Sequence, residues 1–258
     1  MQSAEPAQGT APSGLSVGDD PRHVLRLDDV HVRLSGSHIL QGVSFDVRPG
    51  RVTALLGRNG VGKTTCVKAV MGLVPRTGHI ELDGRAIGRE LTHKIVRSGV
   101  GYVPEDREVF RGLTVEENLR LAVRPGTDPD FDRVHNLFPE LKQRRKQLAG
   151  SLSGGQQQMV ALGRVLLRDT RLLLVDEPTK GLAPKVVAEV GEALVRVADT
   201  TTILLVEQNL GLVRKIATDA IALDTGRVVY TGTASELLDD AEVTNNLLGV
   251  AASGRAGA

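Results

Sequence analysis

"GRNGVGKTT", Gly57–Thr65, decides how this chain folds. Before it runs the short apolar stretch "RVTALLG", which reads as a buried strand. After it comes "KTTCVKAVMGL", whose apolar residues recur at helical spacing. A buried strand that turns through glycines into a helix is a phosphate-binding arrangement. The glycines let backbone N–H groups curl round a β-phosphate, at a helix N-terminus whose dipole favours anions. The candidate phosphate-binding residues are Gly57, Arg58, Asn59, Gly60, Val61, Gly62, Lys63, Thr64 and Thr65. Lys63 supplies charge to the β- and γ-phosphates, and the Thr64 hydroxyl is positioned to ligate Mg²⁺.

Further along, "LLLVDEP", Leu172–Pro178, is an apolar strand that ends in two carboxylates. The reading puts this strand beside the one that feeds the phosphate loop. Asp176 then holds Mg²⁺, directly or through water. Glu177, one residue further out, is the candidate base for an attacking water, so the pair points to hydrolysis.

"SLSGGQQQMVALGRVLL", Ser151–Leu167, adds a second glycine-rich helix start. Ser153 is a good N-cap, and Gly154 and Gly155 leave first-turn N–H groups bare for an anion. A single ATP already wrapped by the first loop cannot easily meet a second terminus of the same compact domain. The second terminus therefore serves best in trans. Two subunits face each other head to tail, each presenting Ser153, Gly154, Gly155 and Gln156 to the γ-phosphate held by the other.

Three motifs in this order, "GRNGVGKTT", "LSGGQ" and "LLLVDEP", closely resemble the ABC ATPases, over roughly 24–249. "GYVPEDREVFRGLTVEENL", "LLLVDEPTKGLAP" and "LLVEQN" are similar to the ATPase subunits of branched-chain amino-acid importers and of related urea and amide importers. The resemblance implies ATP and Mg²⁺ as cofactors and catalysis through Glu177. It also implies work at the cytoplasmic face of a membrane with two permease subunits. A second, similar ATPase would complete a homo- or heterodimer, and an extracytoplasmic solute-binding protein would act indirectly. An exporter ATPase shares this chemistry. A soluble factor acting on ribosomes or DNA fits poorly, because such members carry two ATPase domains or long coiled coils.

Four positions depart from the family's general pattern. Leu34 stands where an aromatic stacks on adenine, and can pack there without π-stacking. Glu105 stands where a glutamine senses the metal and the permease. Gln208 replaces a switch histidine, and can hydrogen-bond phosphate or water without carrying a proton. Ala183 stands where an aspartate is usual. Acid at 105 and glutamine at 208 recur in the importer subfamily. The segment Glu105–Leu119, with Phe110 and Gly112, suits a socket for a short permease helix.

Bulk properties agree with this reading. The chain has 258 residues, enough for one sizeable core with a subdomain. Its 32 Lys and Arg nearly balance 31 Asp and Glu, giving a net charge of +1 and no reason to propose a nucleic-acid partner. Aromatic content of 2% argues against base-stacking platforms. Cys66 is the single cysteine, so no internal disulfide forms; it reads as a packed helix residue, and "KQRRK" at 142–146 as a solvated helix face. The start is not a secretory signal, and no apolar run spans a bilayer, so the expectation is a soluble intracellular protein held at any membrane by other chains.

The expected fold class is α/β: a P-loop NTPase (RecA-like) core, an antiparallel β subdomain and an α-helical signature subdomain at about 106–168. Residues 1–22 and 251–258 read as disordered tails around an ATP-binding domain at 23–250.

Overall fold

A computed structural model of the chain describes residues 23–123, 126 and 128–248. Both tails read as disordered lie outside the described residues. The chain opens with β1 (Leu25–Leu34), β2 (Ser37–Val47) and β3 (Val52–Leu56), then α1 (Lys63–Val70), β4 (Thr77–Leu82), β5 (Arg85–Ala86), α2 (Thr92–Arg97) and β6 (Val100–Val103). A helical run follows: α3 (Val115–Arg120), α4 (Phe131–Leu137), α5 (Pro139–Gln143), a 3₁₀ turn (Ala149–Ser151) and α6 (Gly154–Leu166). Then come β7 (Leu172–Asp176), α7 (Pro184–Ala198), β8 (Thr202–Val206), α8 (Leu210–Ile216), β9 (Asp219–Asp224), β10 (Arg227–Thr233), α9 (Ala234–Asp239) and α10 (Ala241–Leu248).

Two sheets form. One is antiparallel, in the order β2-β1-β4-β5; the other runs β10-β9-β3-β8-β7-β6. Within the second, β9, β3, β8, β7 and β6 pair in parallel, and β10 turns back antiparallel on β9. The sequence explains which strands lie in the middle. β3, β7 and β8 are buried at every residue, as parallel strands covered on both faces must be. β1 mixes buried and exposed positions, as an antiparallel strand with one open face does. Hairpins at Ser35-Gly36, Asp83-Gly84 and Thr225-Gly226 each put two consecutive residues at positive φ, the two-residue turn that matches strand twist.

One expectation needs correction. The acidic strand β7 does not lie beside β3: β8 separates them, pairing with both. Strand order in a parallel sheet is set by crossovers, which no local motif encodes. Helices α2 and α8 are too short for a periodic signal to mark them in the sequence. After β10 the chain forms two helices and not one, because Asp240 is extended at φ −86° and ψ 97° between α9 and α10.

α3 begins with a capping box: the Thr114 hydroxyl accepts from the Glu117 N–H at 3.2 Å, and Glu117 accepts from the Thr114 N–H at 2.7 Å. Pro139 opens α5, which breaks the run between α4 and α5. The helical block has no core of its own. Leu119, Leu141 and Leu162 belong to one apolar cluster with Val175 and Leu205 of the sheet. The block is therefore packed directly on the sheet.

Candidate active site

β3 delivers the chain into Gly57–Gly62, and the backbone there leaves no choice of residue at two points. Gly57 has φ 142°, and a Cβ on it would sit 2.3 Å from the Leu223 carbonyl oxygen. Gly62, the N-cap of α1, has φ 111°, and its Cβ would meet Leu40 Cδ2 at 2.7 Å. Gly60 also has positive φ but open space around it, so it serves the turn alone. No side chain caps α1. Its first-turn N–H groups are thus left for an external acceptor.

Lys63 is 5% exposed and donates to the carbonyls of Gly57 at 2.8 Å and Arg58 at 3.0 Å. The lysine thus closes the loop on itself. Burial lowers its pKa, an effect that Glu177 and Asp176 oppose. Thr64 Oγ1 donates to Asp176 Oδ1 at 3.1 Å, although β3, which leads into α1, and β7 are not neighbours. Asp176 is fully buried, and its second oxygen, Oδ2, has no hydrogen-bond partner. Burial raises its pKa to about 6, against the Thr64 hydrogen bond. A hydroxyl and a carboxylate with an unused buried oxygen are the hard donors that Mg²⁺ takes, so these residues fit that cation.

Glu177 follows in a strained turn at φ 44° and is 7% exposed. Its Oε1 accepts from Gln208 Nε2 and lies 3.9 Å from Lys63 Nζ. Gln208 is held in turn by a buried brace that sequence reading missed. The Glu207 carboxylate accepts from the Thr179 hydroxyl on one oxygen. Its other oxygen accepts the N–H groups of Gln208 at 2.5 Å and Asn209 at 2.9 Å. One buried carboxylate thereby ties the loop after β8 to the loop after β7. Its signal was present, as an acid ending an apolar strand, but nothing local showed what it faced.

At the second helix start, Ser153 and Gln156 form a capping box. Gln156 Nε2 also donates to Glu140 at 3.0 Å. Ser153 is exposed and Gly155 buried. Gly155 also has a packing reason: a Cβ there would meet Val186 Cγ1 at 1.9 Å, so it is the point where α6 packs on α7.

Of the departures, Leu34 ends β1 half-buried, packed with Ile39 and Val61 on the apolar cluster of the antiparallel sheet. Glu105 is turned to Lys180 Nζ at 2.6 Å, and the same ammonium is 3.3 Å from Glu177 Oε2. Lys180 carried no expectation from the sequence. Ala183 is the extended N-cap of α7 and makes no side-chain cap. Cys66 is buried, with its thiol pushed up to about 12 by burial, which suits packing.

The sequence profile of the ABC transporter family matches residues 40–180. The chain is 37% identical over 232 residues to the high-affinity branched-chain amino acid transport ATP-binding protein BraG of Pseudomonas aeruginosa, covering 88% of this chain and 100% of that one. It is also 37% identical over 220 residues to the probable branched-chain amino acid transport ATP-binding protein LivF of Archaeoglobus fulgidus, covering 83% and 93%. The fold is similar to that of a nucleotide-free ATP-binding cassette from an ABC transporter, with a TM-score of 0.76 and 22% identity over 88% of this chain and 99% of that one.

Proposed function

The chain belongs to the ABC transporter ATPases, and on that premise we propose that it is the ATP-hydrolysing subunit of an importer for branched-chain amino acids. The observation that carries the hydrolytic part is one cluster. Lys63, Thr64, Asp176, Glu177 and Gln208 meet at the ends of β3, β7 and β8. In this reading Lys63 exchanges its two loop carbonyls for the β- and γ-phosphates, and Thr64 and Asp176 hold Mg²⁺. When bound, Mg²⁺ supplies positive charge against the phosphate oxygens. Glu177 accepts the proton of the attacking water, with Gln208 orienting its carboxylate. Leu34 packs on the adenine, and Glu105 would be the third residue offered to Mg²⁺.

Ser153, Gly154, Gly155 and Gln156 act on the nucleotide of a second ATPase subunit, head to tail. The exposed Ser153 supports that use. Two permease subunits complete the assembly, with an extracytoplasmic binding protein feeding them. Among the described residues no helix is long and apolar enough to cross a membrane; in this reading the permeases hold the subunit at the cytoplasmic face.

The permease socket is a groove of about 960 Å³ between the core and the helical block, bordered by Leu73, Tyr102, Phe110 and Leu121. Phe110 is 54% exposed, with the Arg164 guanidinium 5.7 Å from its ring centroid. An aromatic standing open beside other apolar side chains suits a partner helix. Phe110→Ala should weaken permease coupling and leave nucleotide binding intact; loss of ATP binding would overturn that assignment.

The test of the whole reading is capture of the tagged chain from gently solubilised membranes of its own cell. Two multi-span permeases and a second ABC ATPase are expected, and the accompanying binding protein would then be screened with amino acids, urea and amides. Ribosomal or DNA-bound partners without a permease would overturn the transport role.

A further inference from the structure

Glu177 needs both of its oxygens placed if it is to meet a water in line with a phosphate. Gln208 serves Oε1. The other oxygen, Oε2, faces Lys180 Nζ at 3.3 Å. That ammonium also holds Glu105 Oε1 at 2.6 Å. Its own backbone is tied at both ends: the Lys180 N–H donates to the Glu177 carbonyl at 3.2 Å, and the Lys180 carbonyl accepts from Arg107 Nη2 at 3.2 Å. Arg107 and Glu108 lie at φ 63° and 45°, so the segment that carries Glu105 is held in a tight, strained turn. Lys180 is 55% exposed. An ion pair that open to water adds little stability. Its consequence is geometric: one flexible cation links the carboxylate at 177 to a segment that leads directly into the Phe110 groove.

We propose that Lys180 is a positioning residue for ATP hydrolysis, holding the outer oxygen of Glu177 and making its placement depend on the 105–108 segment at the groove. The inference rests on Glu177 being the base. Movement of that segment by a partner in the groove would pull Glu105, and with it the ammonium, away from or toward Glu177. An exposed residue can be replaced without disturbing the core, so Lys180→Met and Lys180→Arg are both usable in the full chain.

Steady-state hydrolysis by Lys180→Met should show kcat down by about tenfold with KM for ATP within about twofold, because orientation is lost and phosphate binding is kept. Lys180→Arg should recover most of kcat. In the nucleotide-free protein, amide hydrogen exchange over 104–109 should quicken in Lys180→Met and stay near the wild-type rate in Lys180→Arg. Wild-type kcat in Lys180→Met would overturn the proposal. So would a drop that arginine does not repair, or one without faster exchange over 104–109. A Glu177→Gln chain that hydrolysed MgATP at the wild-type rate would instead overturn the role given to Glu177, and the exchange data would still report the link between Lys180 and the segment.

Discussion

At Gly57–Thr65 glycine is required for its positive-φ backbone as well as for space, and at Gly155 for its missing side chain alone. The first loop holds three glycines at φ 142°, 83° and 111°, and its lysine is buried against its own carbonyls. It is complete within one chain. The second start has a fully helical backbone from Gly154 onward, a self-contained capping box, and Val186 pressed onto Gly155. Its serine is left open to solvent. The two starts look alike as strings, yet one is a closed receptor and the other a rigid, packed edge. A receptor binds alone. An edge acts on what another molecule brings to it.

The largest effect that tests this contrast is at the receptor. Lys63→Ala should weaken ATP binding by about 100-fold or more, since a buried cation with charge-assisted hydrogen bonds is lost. Calorimetry on the monomer reads it directly. A loss under tenfold would mean that the closed loop is held for structure and not for phosphate.

The second effect is at the edge. Ser153→Arg puts bulk on an exposed cap and should leave monomer ATP affinity within about twofold, with hydrolysis down more than about tenfold, because in the proposed dimer the cap acts on the partner's nucleotide. Affinity by calorimetry and turnover by phosphate release separate the two. If ATP affinity fell with turnover, the two helix starts would serve one nucleotide in one chain, and the contrast drawn here would fail.

How much of this was legible in the sequence depends on range. Gly57–Thr65 and Asp176-Glu177 were readable because strand, turn and helix are contiguous there, and the turn chemistry is local. β8, inserted between β3 and β7, was not, since parallel neighbours are joined through distant crossovers. Lys180 was invisible because its partners Glu105 and Glu177 lie on separate segments, and a lysine reaches whatever the fold puts near it. The packing reason for Gly155 was not legible, because Val186 belongs to another helix.

A third effect concerns the acid that joins the receptor to the strand. In the folded protein the Asp176 carboxyl is raised by burial to about 6. A raised acid contributes stability that is present at low pH and lost as pH rises through that value. At pH 7 the nucleotide-free protein therefore carries a buried charge. Asp176→Asn should raise its stability by an amount of order 2 kcal/mol in EDTA, with the gain shrinking toward pH 4. Excess Mg²⁺ and ATP should reverse the ranking, because only the wild type gains from metal binding. Thermal unfolding across pH reads both. An unchanged ranking at pH 7 would mean that water reaches Asp176 freely, and its unpartnered oxygen would cease to mark a cation site.

The smallest effect tests the packed edge itself. Gly155→Ala adds one methyl where Val186 Cγ1 stands 1.9 Å away. Overpacking of this kind costs about 1–3 kcal/mol. The added Cβ can be accommodated only if α7 moves or Val186 shrinks, so Gly155→Ala with Val186→Ala should recover part of the lost stability. ATP binding at Gly57–Thr65 should be untouched in both. If the double variant were no more stable than the single one, the contact between α6 and α7 would not be what selects glycine at 155. The bare amide of the helix start would then be the better reason for it, and the two glycine-rich starts would be closer in kind than their geometry indicates.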